Sequence, residues 1–283
     1  LYCHHMKKFS LKVRPAVISM IHFSPLEGTE DYEGDKAVVL GRAQQDLRAL
    51  QKVGVDAILF ENNFDKPKHE KMRPETRAHF MELLEVLVPE THVSWGITPL
   101  WNDFAFGFEA CKKLGGVMVR VPVFVDSVET VYGKFYANPA AVLAARAALG
   151  AEGVAILADV QVKHATMLTP RPFVESVREA SASGADGVIV TGQWTGDPPS
   201  VEQCAEAVRE AGDAAVLTGS GMTAENFTRF APYLDATIVG TAFKEGDVDL
   251  SKRLGPNIVV AARRYDAQKI ADFMAVARSV RRS

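Results

Sequence analysis

Short unbroken apolar runs alternate along the chain with longer stretches in which apolar residues recur every three or four positions. The runs are AVISMIH (16–22), AILFEN (57–62), VSWGIT (93–98), VMVRVPVF (117–124), VAILADVQV (154–162), GVIVTG (187–192), AVLTG (215–219) and TIVG (237–240). Each is nearly continuous rather than alternating, which predicts strands covered on both faces. Between the first two runs, Val38, Val39, Ala43, Leu47 and Leu50 share a helical face that ends at Gly54. Phe80, Leu83, Leu84 and Leu87 mark the next helix, and Ile270, Phe273, Met274, Ala277 and Val280 mark a closing one. Most runs follow a glycine and a small or acidic residue, as in GVDA (54–57) and GADG (184–187). Glycine there ends a helix in the left-handed conformation and turns the chain into the next strand.

Eight covered strands, each followed by a helix, imply a parallel sheet that is either closed or open. An open dinucleotide-binding sheet would place GxGxxG at the start of the first helix; HFSPLEG (22–28) stands there instead. Eight regular repeats in about 250 residues predict an α/β fold, a single (β/α)8 TIM barrel spanning 6–283.

Composition narrows the function classes. The chain has 283 residues, 47% of them hydrophobic, and a net charge of -3. Mild acidity argues against general nucleic-acid binding. No stretch approaches 18 consecutive apolar residues, so no transmembrane helix is expected. Cys3, Cys111 and Cys204 form no CxxC or pairing pattern, which points to a reducing, cytoplasmic setting. Met6 reads as the natural start, with 1–5 left from cloning. The basic segment KPKHEKMR (66–73) reads as a solvated loop, and the alanine-rich AAVLAA (140–145) would permit a homo-oligomer.

In TIM barrels the working groups stand at the C-terminal strand ends. Reading these ends in order gives His22, Glu61, Asn102, Arg120, Asp159 with Lys163 and His164, Gly192 with Thr195, Gly219-Ser220-Gly221, and Gly240-Thr241. The last two turns, in LTGSGMTAEN (217–226) and IVGTAFK (238–244), bring glycine-lined backbone amides to the seventh and eighth strand ends. Phosphate commonly binds there, and Thr223 to Asn226 reads as a capped helix start.

Regular alternation in ADVQVKHA (158–165) would place Asp159, Gln161 and Lys163 on the interior face and His164 on the other. Three roles stay open. Asp159, Glu61 and His22 could hold Mg²⁺, Mn²⁺ or Zn²⁺. Lys163 could form a Schiff base. Lys163 or His164 could bind substrate charge or move a proton. The structural alternative is an Asp159–Lys163 ion pair. Arg120, buried by pattern, must meet an acid, either Glu61 or Asp159. The 192–199 loop, with Trp194, suits a lid or an inert connection, and the long 125–138 loop suits covering the site or a subunit contact.

Together these motifs resemble the BtpA/SgcQ family of phosphate-binding-type TIM-barrel proteins. The likeness runs from HFSPLEG (22–28) through GVDA with Glu61-Asn62, Asn102-Asp103, ADVQVKHA, TGDPP (195–199) and GSG (219–221) to VGT (239–241) with Lys244. It implies a barrel similar to the phosphate-binding barrels; the strand ends themselves give Gly192, Thr195, Arg120 and Asn102 as further candidate substrate contacts. Its member names point two ways, to photosystem I biogenesis at a membrane and to a nucleoside triphosphatase. The second lacks its usual GxxxxGK[ST] cradle here. The expected function is therefore a cytoplasmic enzyme acting on a phosphorylated metabolite such as a sugar phosphate. Asp159, Lys163, His164, Glu61 and His22 carry the chemistry as a lyase, isomerase or hydrolase. A non-catalytic assembly factor is the alternative.

Overall fold

The computed structural model describes residues 7–246 and 262–281; the leader, Met6 and Cys3 lie outside the described residues. The eight barrel strands are β1 (Ala16–His22), β2 (Ala57–Glu61), β3 (Ser94–Thr98), β4 (Met118–Val121), β7 (Ala155–Val160), β9 (Gly187–Val190), β10 (Ala215–Thr218) and β11 (Ala236–Val239). They close in the order β1-β11-β10-β9-β7-β4-β3-β2, parallel throughout. The helices are α1 (Lys36–Val53), α2 (Pro74–Leu87), α3 (Phe104–Leu114), α4 (Pro139–Ala148), α5 (Phe173–Ala182), α6 (Val201–Glu210), the short α7 (Phe227–Phe230) and α8 (Ala267–Ser279). The expected (β/α)8 barrel is therefore the fold.

Alternation along the strands divides the core in two. Ala16, Ile18, Met20, Ala57, Leu59, Met118, Leu157, Ile189, Leu217 and Ile238 fill the interior, where Phe9, Leu11 and Val13 join them. Val17, Ile21, Ile58, Phe60, Val119, Ile156 and Val188 face the helices. The acid in the turn before a strand has a use beyond the cap. Asp56, Asp186 and Asp235 each accept from a strand-start amide, those of Val17, Ile156 and Val216, all at 2.8 Å. Gly54, at φ 88, ends α1 as expected.

The same two-residue period carries polar side chains into the top interior layer. In register, β1 sets His22 beside Glu61 of β2. Two positions above Met118 and Leu157 come Arg120 and Asp159.

Three expectations change. The fourth run ends at Val121, before Pro122, and the fifth at Val160. The 125–138 segment is not a plain loop. It forms β5 (Val128–Thr130) and β6 (Gly133–Phe135), which pair with β8 (Thr166–Met167) in a three-stranded antiparallel sheet. Trp101, Val123, Val128, Phe135 and Val162 form a small core beneath it. Thr223 to Asn226 is a turn rather than a capped start. Asn226 accepts from the Thr223 amide and donates to the Gly221 carbonyl, and the helix begins only at Phe227.

Candidate active site

The C-terminal end of the barrel opens into a cavity of about 650 Å³. Its wall takes His22, Glu61, Arg120, Lys163 and His164 from the strand ends, and Thr195, Gly219, Ser220, Gly221, Gly240 and Thr241 from the loops. Trp101, Tyr132 and Trp194 give the upper part an apolar lining.

Asp159 stands apart from that wall. Only 1% exposed, it lies beside Arg120 and accepts from Nε and Nη2, both at 2.8 Å. The acid demanded by buried Arg120 is thus Asp159, in the bidentate geometry a guanidinium favours. The alternative of an Asp159–Lys163 ion pair does not form; both oxygens of the acid accept from Arg120 instead. Nor do Asp159, Glu61 and His22 assemble as metal donors. His22 Nε2 lies 3.3 Å from Glu61 Oε2, while Asp159 faces the guanidinium. Among the described residues no group of three His, Cys, Asp or Glu side chains is arranged to hold a metal ion. The trio read from the sequence does not fit one.

Strand β7 stops before Lys163 because the backbone turns. Gln161 has φ 49 and His164 has φ 60, left-handed values that non-glycine residues rarely adopt. Asp126 supports the first, accepting from the Gln161 amide at 2.9 Å. Gln161 itself leaves the interior, donating to the Arg171 carbonyl and to Ser176 Oγ at 3.1 and 3.3 Å. Strand alternation therefore fails for Gln161, whereas Lys163 does reach the cavity.

Lys163 Nζ donates to the Gly219 carbonyl at 3.1 Å. Burial, then the nearby Arg120 charge, push the ammonium down to about 8, against the opposing pull of Asp159 and Glu61. His164 Nε2 lies 2.7 Å from Thr195 Oγ1, and its ring meets Trp194 edge-on at 5.5 Å. Burial and the Lys163 charge lower this imidazole to about 4, so it is neutral at pH 7. Burial alone would raise Glu61, but the His22 bond and the charges of Arg120 and Lys68 hold it below the usual carboxylate range.

Lys68 is the residue the sequence reading missed. Within the supposedly solvated loop it is only 6% exposed and lines the cavity. Its Nζ donates to the Asn62 and Asn63 carbonyls at 3.3 and 2.7 Å, and burial lowers it to about 8. Its neighbours Lys66, Glu70 and Lys71 gave the segment a solvated look, and no local pattern separates Lys68 from them.

The two glycine turns divide their groups between packing and open donors. The Gly219 amide continues the ladder to the Val190 carbonyl at 2.9 Å. Ser220 Oγ bridges the loops, accepting from the Gly192 amide at 3.0 Å and donating to the Asp197 carbonyl at 2.8 Å. Gly221, at φ +71, lies so close to the 193–199 loop that a Cβ would stand 2.0 Å from Pro198 N. The amides of Ser220, Gly221 and Met222, and those of Thr241 and Ala242, have no acceptor among the described hydrogen bonds. Gly192 and Asn102 do not line the cavity. Asn102 instead exchanges two bonds with the Val123 backbone, at 2.9 and 3.2 Å.

Comparison with known proteins adds lineage and fold. A model of the BtpA family matches residues 13–253. An uncharacterized protein of Pyrococcus furiosus is 32% identical over 241 residues, 85% of this chain and 90% of its own length. The photosystem I biogenesis protein BtpA of Synechocystis is 31% identical over 230 residues, 81% of this chain and 80% of its own. The putative sgc region protein SgcQ of Escherichia coli is 26% identical over 273 residues, covering 94% and 96%. Among solved structures, Mycobacterium tuberculosis tryptophan synthase superposes with a TM-score of 0.58 at 15% identity, covering 94% of this chain and 93% of that one. N-(5'-phosphoribosyl)anthranilate isomerase from Pyrococcus furiosus gives 0.54 at 12%, covering 94% and 100%. These two likenesses concern the barrel alone.

Proposed function

The chain belongs to the BtpA family, and on that footing we propose that it is an enzyme acting on a small phosphorylated metabolite of the sugar-phosphate class. The observation that carries this reading is the joining of two kinds of group in one cavity. Open amides at Ser220, Gly221, Met222, Thr241 and Ala242 edge a space that also holds Lys163, Glu61 and His22. Backbone donors without acceptors suit an anion, and two glycine turns suit its close approach. In this reading the phosphate sits on those amides. Glu61, as carboxylate, and His22 move protons, and Lys163 meets the reacting carbon. Arg120, fixed by Asp159, contributes positive charge to the floor. Asp159 then acts as a positioning residue rather than a group that touches substrate. His164, bonded to Thr195 of the 193–199 loop, closes the side.

A second reading, a non-catalytic biogenesis factor, has the name of the Synechocystis relative in its favour. Against it stand the buried ionisable groups at the mouth, whose desolvation a passive scaffold has no reason to bear.

Thermal unfolding against orthophosphate, sugar phosphates and their unphosphorylated counterparts tests the proposal. A ligand at about a hundred times its Kd stabilises by about 2.7 kcal/mol, a rise of several degrees here. The phosphorylated members should raise Tm and the unphosphorylated ones should not. A panel in which no phosphorylated compound moves Tm removes the reading and leaves the biogenesis factor in its place.

A further inference from the structure

We propose that Lys163 forms a covalent iminium with the carbonyl carbon of its substrate, so that the ligand class is a phosphorylated aldehyde or ketone. This rests on the phosphate reading above and adds the nature of the carbon that reacts.

Among the described residues Lys163 lacks a charged partner: it belongs to no ion pair, and its Nζ has one hydrogen bond, to the Gly219 carbonyl at 3.1 Å. The acid placed four residues before it accepts from Arg120 through two 2.8 Å bonds and forms no ion pair with Lys163. Arginine thus engages both oxygens of that carboxylate and sets a fixed positive charge in the same cavity, which with burial outweighs the remaining pull of Asp159 and Glu61. Each condition favours the neutral amine over the ammonium. Burial and that charge bring the group down to about 8, within reach of neutral pH.

The other buried lysines are held differently. Lys68 donates to two carbonyls, of Asn62 and Asn63. Lys244 lies 3.6 Å from Asp46 with its charge over the Tyr265 ring, away from the cavity wall. Lys163 is only partly enclosed and faces the cavity. Its single acceptor, the Gly219 carbonyl, belongs to the turn whose following amides are open. Donating one N–H there leaves the nitrogen lone pair directed elsewhere. A phosphate on Ser220, Gly221 and Met222 would then hold the carbonyl of the same small molecule within reach of Nζ.

The step balances without another reactant. The Nζ lone pair forms the C–N bond while the carbonyl π pair moves to oxygen, and one Nζ proton passes to that oxygen, giving a carbinolamine. A second proton, from the His22–Glu61 pair or solvent, lets the oxygen leave as water and the nitrogen pair form the C=N bond. The iminium then accepts electrons from the adjacent carbon, which serves either cleavage or isomerisation.

Reductive trapping tests this. The full chain is incubated with cyanoborohydride and glyceraldehyde 3-phosphate, dihydroxyacetone phosphate or ribose 5-phosphate. Glyceraldehyde, dihydroxyacetone and ribose serve as controls. Intact mass and peptide mapping should find one adduct, on Lys163, at least tenfold faster with a phosphorylated probe than with its control. K163R, which keeps the charge, should lose the adduct while orthophosphate still raises its Tm. K68M should keep the adduct. Labelling scattered over exposed lysines, or unchanged in K163R, overturns the proposal. So does the absence of any adduct on Lys163 while orthophosphate still stabilises the wild type, which leaves the phosphate reading standing. If neither adduct nor stabilisation occurs, both fall.

Discussion

The buried Arg120–Asp159 pair and the partly freed Lys163 set the character of the site one residue at a time. Removing one partner of a buried pair leaves an uncompensated charge, at a cost of about 3–5 kcal/mol. Asp159→Asn should therefore lower stability in urea by about that amount, and Arg120→Met added to it should recover most of the loss. A near-neutral Asp159→Asn would mean the pair does not hold the floor together. Lys163 gives the opposite sign. Its folded value of about 8 lies below the ordinary 10.5, so the unfolded chain binds more protons between those limits and stability rises with pH there. Below pH 8 the full cost of burying the ammonium is present, at most about 3 kcal/mol. Lys163→Met should stabilise at pH 7, and the gain should shrink towards pH 10.5; a pH-independent difference would refute the assignment. These pairings were only half legible in the sequence. Arg120 inside VRV announced a need for an acid, but whether Glu61 or Asp159 answered it depended on the register of β4 against β7. Lys68 gave no signal, because the Asn62 and Asn63 carbonyls to which it donates meet it only once the loop folds back.

At the scale of elements, the apolar runs located all eight barrel strands, because a strand buried on both faces must be apolar throughout. The misreadings fell where the backbone leaves regular geometry. Strand β7 stops at Val160, since Asp126, distant in sequence, supports the left-handed turn at Gln161. That turn, rather than strand alternation, aims Lys163 into the cavity. The β5–β6–β8 sheet escaped notice because its strands are only two or three residues long. The glycine turn at 219–221 was legible as a tight approach, but its nearest neighbour is the 193–199 loop. Gly221→Ala would add left-handed strain of about 1–3 kcal/mol and drive a Cβ into the Pro198 backbone. The substitution should lower Tm and expose the 193–199 loop to limited proteolysis. Wild-type cleavage and Tm in the variant would show that the loop does not pack as described.

For the whole molecule, among the described residues, closure of the sheet and the plug of Phe9, Leu11 and Val13 leave the C-terminal mouth as the end open to a ligand. No helix among the described residues is long and apolar enough to cross a membrane. The family likeness was readable because its motifs lie at the strand ends, and the barrel brings those ends to one rim. Reaction class was not readable, since it depends on which charges pair across that rim. In the proposed function the two last barrel turns form an anion cradle. Titration of the ¹⁵N-labelled protein with orthophosphate, followed by amide shifts, tests it most directly. The amides of Ser220, Gly221, Met222, Thr241 and Ala242 should move together along one binding curve, while those around Phe9 at the opposite end stay still. If those five amides do not move, or move no more than amides across the rest of the surface, the cradle does not exist and the proposed function fails with it.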